Sequence, residues 1–295
     1  MGQGEVISAF TGAVEPKQGD KSIGDILVEA GRLRPEDAER ILSLQSEKGL
    51  RFGEAAIRLR ILSPEDIQFA LSRQFHYPYL ARGETKVSED VVAAYDPFSR
   101  QAEALRAVRS QLMLRWFDGD PARKSLVVVS AARKEGRSYI AANMAVVFSQ
   151  LGERTLLIDA DLRNSCQHRL FGLDNRFGLS SVLAGRAGPE TIQRIPSLPR
   201  LSVLTAGAPP PNPQELLAGA VFPHLLQQLA EQVDVILLDS PAASETADAQ
   251  ILSVRAGAAM IVARKNATRM WRVQGVTDSV SQARSTIVGT VLNDF

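Results

Sequence analysis

The chain has 295 residues, 45% of them apolar, which is enough to bury a substantial core and to fill two domains. A net charge of +1 gives no basic coat or acidic tail, so no nucleic-acid polymer is expected as a partner. The longest apolar runs, such as 126–129 and 235–238, fall far short of the roughly 18 residues a spanning helix needs. No basic-then-apolar stretch marks a signal peptide, and one cysteine, Cys166, excludes an internal disulfide, so a cytoplasmic protein is expected.

Residues 1–20, with Gly2, Gly4, Gly12, Pro16 and Gly19, read as a flexible tail. Met1-Gly2 suggests an acylation signal, but Val6 is not the Ser or Thr that signal requires. Over 21–80 an internal repeat follows. Glycine recurs from 24 to 53, Pro-Glu-Asp from 35 to 64 and glutamine from 45 to 74, a shift of 29 residues each time. Such a period marks duplicated helical units that bury their apolar faces on each other. Pro35 and Pro64, each followed by two acids, are sound helix starts. The unit is expected to close at 76–80, where Tyr77 and Tyr79 stand in an apolar packing role.

Residues 81–100 carry few periodic signals and read as a linker. The next helix sets Glu103, Arg106 and Arg109 along one stripe, which by itself is an ordinary solvated face.

Residues 127–130 read as a buried strand, 131–138 as a loop, and Ile140, Met144, Val147 and Phe148 as the apolar face of a helix from Tyr139. Ala131-x-x-x-x-Gly136-Arg137-Ser138 approaches the phosphate-loop pattern G-x-x-x-x-G-K-[ST], with Ala131 for the first glycine and Arg137 for the lysine. The candidate nucleotide-binding stretch is Ala132, Arg133, Lys134, Glu135, Gly136, Arg137, Ser138 and Tyr139, whose backbone N–H groups and helix dipole would meet one anion. An ordinary strand-to-helix turn is the other reading of the loop alone. Two further buried strands end in carboxylates, 155–159 in Asp159 with Asp161 just beyond, and 233–239 in Asp239. Carboxylates at the carboxyl ends of parallel strands share the sheet edge with the loop. Hard oxygen ligands of this kind suit Mg²⁺.

The remainder alternates strands at 201–205, 258–263 and 287–292 with helices after Pro213 and over about 269–283. The expected fold is therefore α/β, a P-loop, doubly wound, mostly parallel sheet over 101–295, preceded by the small duplicated helical domain.

Two resemblances follow. Residues 21–80 resemble the amino-terminal domain of type II secretion ATPases, including a variant that binds cyclic di-GMP through an Arg-Leu-Gly opening in both repeats. Arg51-Phe52-Gly53 keeps the arginine and glycine, whereas Ser22-Ile23-Gly24 lacks the arginine. The resemblance implies Arg51, Gly53 and Gly24 as a cyclic di-GMP set, with a helical docking module as the preferred reading.

From about Tyr95 onward, some 200 residues resemble bacterial tyrosine kinases of the exopolysaccharide chain-length type, whose fold is that of partition ATPases. The motifs are Glu103-x-x-Arg106-x-x-Arg109, the loop at 131–138, Ile158-Asp-Ala-Asp-Leu-Arg163, the proline turn 207–217, Leu238-Asp239-Ser-Pro241, Asp248-Ala249 and Gly289-Thr-Val-Leu-Asn293. The subgroup encoded with exosortase-linked polysaccharide systems also carries the secretion-ATPase-like domain. The resemblance implies ATP and Mg²⁺, with Arg137 at the β/γ-phosphate end. Ser138 and Asp161 would hold the metal, Asp239 would act through water, and Asp159 would activate or position the tyrosine hydroxyl. It implies a ring-like homo-oligomer joined through Glu103, Arg106 and Arg109. It also implies an inner-membrane chain-length protein as partner, and through it peripheral attachment to that membrane. Family members end in an autophosphorylated tyrosine cluster, while the tyrosines here are Tyr77, Tyr79, Tyr95 and Tyr139. The expectation is phosphorylation elsewhere or on a partner, with a nucleotide-driven oligomerisation switch as the alternative.

Overall fold

The computed structural model describes residues 21–74 and 78–294, which form two compact units divided between Ala81 and Arg82. The tail expected at 1–20 and the residue Tyr77 lie outside the described residues.

The smaller unit holds α1 (Ile23–Glu29), α2 (Pro35–Lys48), α3 (Phe52–Arg58) and α4 (Pro64–Gln74). Ser22 and Asp25 cap α1 reciprocally, and Ser63 with Asp66 does the same at α4. The core obeys the sequence period: Leu27, Leu33 and Ile41 correspond to Ala56, Leu62 and Ala70, each 29 residues on, and all six are buried. The short helix of each repeat packs on the long helix of the other, α1 on α4 and α3 on α2. Neither repeat could bury its apolar face alone.

The larger unit begins with α5 (Val92–Tyr95) and α6 (Arg100–Arg115). Then come β1 (Ser125–Ser130), α7 (Arg137–Leu151), β2 (Thr155–Asp159), α8 (Gln167–Phe171) and α9 (Leu179–Leu183). Next are β3 (Gln193–Arg194), β4 (Leu201–Leu204), α10 (Pro213–Ala218), α11 (Val221–Ala230) and β5 (Val235–Asp239). The chain finishes with α12 (Asp248–Ala256), β6 (Ala258–Arg264), α13 (Met270–Gln282) and β7 (Thr286–Asn293). The strands form one sheet ordered β3-β4-β2-β5-β1-β6-β7, parallel except for the β3–β4 pair. The central strands β1, β2 and β5 are mainly apolar and buried almost throughout because helices cover both faces.

Helix α7 is buried continuously from Ile140 to Gln150, and it packs on α5 and α6 as well as on β1, β2 and β5. A helix apolar all round has to be enclosed. What encloses it corrects one expectation: residues 82–100 are not a free linker but pack into the larger unit, with Val91, Ala93, Ala94 and Tyr95 buried. Two polar side chains on α7 hold the segment there. Asn143 accepts the Ala93 N–H at 2.9 Å and donates to the Asp90 carbonyl at 3.1 Å, and Gln150 donates to the Ala93 carbonyl at 2.9 Å. A second difference is small. Helix α7 starts at Arg137 rather than Tyr139, so Arg137 and Ser138 stand in its first turn.

Candidate active site

The loop between β1 and α7 alternates hand. Lys134 has φ 63° and Gly136 has φ 91°, both left-handed. At Gly136 that conformation is free of a Cβ clash. At Lys134 it costs about 1–3 kcal/mol, which the surroundings must offset. Glu135, buried between them, supplies the offset. Its carboxylate accepts the Ala132 N–H at 2.8 Å and the Thr268 hydroxyl at 2.6 Å, and its carbonyl accepts from Asn293 at 3.2 Å. The Ala132 N–H is thus bonded within the loop. The first N–H groups of α7 have no intrahelical acceptor, and they carry the positive end of its dipole. Of the other cradle residues, Arg133 is exposed and paired with Glu245, and Lys134 is exposed.

Three carboxylates stand under this loop. Asp159 and Asp239 end β2 and β5 in direct register and are both fully buried, and Asp161 is 4% exposed. Asp159 accepts the N–H groups of Cys166 at 3.0 Å and Gln167 at 2.9 Å. Asp161 accepts those of Arg163 at 3.2 Å and Asn164 at 2.8 Å. Burial, reinforced by the Asp239 charge, pushes the Asp159 carboxyl well above the ordinary range. Burial also raises Asp239, against the opposing pull of Arg137, Gln167 and the nearby Ser138 hydroxyl. The Cys166 thiol is pushed up to about 12, by burial first and the Asp239 charge second, so it remains an unreactive thiol.

Arg137 lies inside the cluster. Its Nη1 donates to Ser130 Oγ at 2.8 Å, its Nη2 is 3.6 Å from Asp161 Oδ2, and its Nε is 3.5 Å from Asp239 Oδ1. Among the described residues no three His, Cys, Asp or Glu side chains are grouped to hold a metal by themselves. Mg²⁺ at a nucleotide site needs only one or two carboxylates beside phosphates and water. The buried Asp239 Oδ1 has no hydrogen-bond partner, so an oxygen donor is available. Ser138, Asp161 and Asp239 therefore fit that ion.

Sequence reasoning passed over Gln167. It is fully buried, and its amide donates to Asp239 Oδ2 at 2.8 Å and to the Ser138 carbonyl at 3.1 Å. It thereby links the loop to the third carboxylate. The only signal was a polar residue opening a short helix six positions after Asp161. Two other motif residues are braces: Arg163 pairs with the buried Asp248 at 3.0 Å, and Asn293 holds the loop.

Beside the first turn of α7 is a cavity of about 900 Å³ whose lining includes Tyr139, Ile140, Asn293, Arg100 and Leu105. Tyr139 is half-buried, and burial followed by the Asp90 charge raises its hydroxyl. Tyr95 is buried with its hydroxyl donating to the Val87 carbonyl. On α6, Glu103 is exposed, Arg106 pairs with it and with the Pro97 carbonyl, and Arg109 donates to the Val147 carbonyl at 2.8 Å. Arg106 and Arg109 thus brace their own chain, while Glu103 faces outward. In the smaller unit, a Cβ on Gly24 would meet the Phe52 ring at 3.4 Å, and one on Gly53 would meet Ile67 at 3.1 Å. Gly53 has a packing reason that needs no ligand, since a Cβ there would crowd Ile67, whereas one on Gly24 would make an ordinary contact. Arg51 is exposed ahead of α3.

No family model matches the chain. Comparison with known proteins gives clear relatives for the larger unit. The tyrosine-protein kinase YwqD of Bacillus subtilis is 34% identical over 209 residues, which is 71% of this chain and 87% of that protein. The tyrosine-protein kinase ptk of Acinetobacter johnsonii is 35% identical over 194 residues, 65% of this chain and only 26% of that longer protein. Among solved structures, the kinase domain of Escherichia coli tyrosine kinase ETK matches with a TM-score of 0.67 and 30% identity, covering 72% of this chain and 82% of that one. Among the described residues no helix is long and apolar enough to cross a membrane. With the loop, the three carboxylates and these relatives in agreement, the chain belongs to the bacterial tyrosine-protein kinases.

Proposed function

We propose that the larger unit transfers the γ-phosphoryl group of ATP to a protein tyrosine. The observation that carries this reading is the convergence of Asp159, Asp161 and Asp239 beneath the start of α7. The N–H groups of the first turn of α7 and the Arg137 guanidinium take the phosphates, and the cavity beside Tyr139 supports a place for the nucleoside end. Mg²⁺, held by Ser138 and Asp161 with Asp239 behind them, would neutralise phosphate charge when bound. Asp159 orients the acceptor tyrosine and takes its hydroxyl proton as the oxygen–phosphorus bond forms and ADP departs. The raised affinity of Asp159 for a proton suits that role. Positioning and charge neutralisation supply most of the acceleration in such transfers.

By analogy with its relatives, we assign the phosphorylation to control of exopolysaccharide assembly, with a membrane chain-length protein as partner. Helix α6 serves as a contact between copies of the chain through Glu103, Arg106 and Arg109, and residues 21–80 serve as a docking module. The test is incubation with ATP-Mg²⁺ and phosphotyrosine mapping by mass spectrometry, with a candidate partner domain present. Phosphotyrosine that disappears in Asp159→Asn supports the reading. ATP binding without any phosphotyrosine would replace it with a nucleotide-driven oligomerisation switch.

A further inference from the structure

Arg137 has three contacts and only one good hydrogen bond. The bond to Ser130 Oγ is 2.8 Å, but the approaches to Asp161 and Asp239, at 3.6 and 3.5 Å, are charge contacts outside hydrogen-bonding geometry. The side chain is 10% exposed, its Nε has no hydrogen-bond partner, and neither has Asp239 Oδ1 opposite it. Buried charges are normally both paired and hydrogen-bonded. This pair is matched in charge and incompletely bonded, which describes a cation that is held but exchangeable.

The guanidinium spans two carboxylates, Asp161 just beyond β2 and Asp239 at the end of β5, because it is a flat fork with several donors. An ammonium at the same position is a compact point charge that can sit on only one side. The two carboxylates that Arg137 bridges are the two assigned to the divalent ion. Guanidinium and metal therefore compete for the same oxygens. Phosphate is the better partner for the guanidinium, since it accepts two parallel N–H bonds.

We propose that Arg137 is the resident counter-cation of the nucleotide-free site, and that it admits the divalent ion only together with the phosphates that draw it off Asp161 and Asp239. In the exchange the guanidinium moves from the carboxylates to the phosphate, and the divalent ion takes its place on the carboxylates with the phosphate charge balancing the added positive charge. This rests on the nucleotide reading of the loop. It adds a selectivity step in which free metal is refused and the metal–nucleotide complex is accepted.

The test uses Mn²⁺ as probe, counted by electron paramagnetic resonance on the full chain without nucleotide. Wild type should bind it at least tenfold more weakly than Arg137→Met. Arg137→Lys, which keeps a positive charge and guards against misfolding in the first variant, should fall between them. Asp161→Asn in the Arg137→Met background should abolish the gained binding. Adding ADP should restore Mn²⁺ binding to wild type. Equal nucleotide-free affinity in wild type and Arg137→Met would overturn the proposal. If ADP restores nothing, the nucleotide reading fails, and that outcome is distinct because the nucleotide-free comparison still stands.

Discussion

Asp159 and Asp239 stand opposite one another in register on adjacent parallel strands, both sealed from solvent, with Arg137 the cation nearest to Asp239. Register alone brings them together, since the two strands end at the same height. Two buried carboxylates so placed resist simultaneous ionisation, and the fold tolerates this cost for the sake of the chemistry.

Asp159→Asn should therefore abolish phosphotransfer and stabilise the nucleotide-free protein. Asparagine keeps an oxygen for the Cys166 and Gln167 N–H groups. The folded state binds the Asp159 proton more tightly than the unfolded state, so this group favours folding most at low pH. That contribution is lost as pH climbs from 3.8 toward the raised value. The advantage of the variant should be absent below about pH 4 and grow as pH rises toward neutral. Thermal melts across this range check it, and a variant less stable than wild type at pH 8 would contradict the account.

Gln167→Leu should be costly for a residue distant in sequence from the loop. It strips hydrogen bonds from Asp239 and from the Ser138 carbonyl, each enclosed by protein. A loss of about 1–3 kcal/mol is expected, at roughly 2–4 °C in Tm per kcal/mol. Nucleotide affinity, measured with a fluorescent analogue at a temperature where the variant is folded, should also fall.

Thr268→Val removes one hydroxyl and preserves shape. The Glu135 carboxylate then loses its 2.6 Å donor, and the loop loses its tie to the segment after β6. Nucleotide binding should weaken by about 1 kcal/mol, roughly fivefold in Kd. An unchanged Kd would show that the Ala132 and Asn293 contacts hold the loop unaided.

The two repeat glycines should respond differently to alanine. Both substitutions bring helix propensity, though less than the roughly 1 kcal/mol of a helix interior because each glycine stands in a first turn. Gly24→Ala meets the Phe52 ring at an ordinary 3.4 Å and should stabilise the smaller unit, whereas Gly53→Ala meets Ile67 at 3.1 Å and should lose much of that gain. Hydrogen exchange of α1–α4 in the full chain separates the two outcomes.

The parts of the fold that were legible in sequence were those with a one-dimensional signature. Strands β1, β2 and β5 announce themselves as apolar runs, two of them ending in aspartate. The repeat predicted which residues fill the core of the smaller unit. The unread parts are tertiary. Strand β3 is two residues long and exists only because β4 lies beside it. Residues 82–100 lack periodicity because the segment is held through the backbone of Asp90 and Ala93, which bond to Asn143 and Gln150, rather than by an apolar stripe. Gln167 is one polar residue whose partners lie 29 and 72 positions away in sequence. The turn of Arg137 into the carboxylates needed three dimensions as well, since it depends on the loop placing α7 directly above β2 and β5.

Glu135 has a kinetic consequence. Because its carboxylate and carbonyl are tied from Ala132, Thr268 and Asn293, the loop backbone already has its final curvature before any ligand arrives. Capture then requires a side chain to rotate rather than a loop to fold. Stopped-flow association should accordingly be a single phase whose rate rises in proportion to ligand concentration, with no plateau from a slow isomerisation.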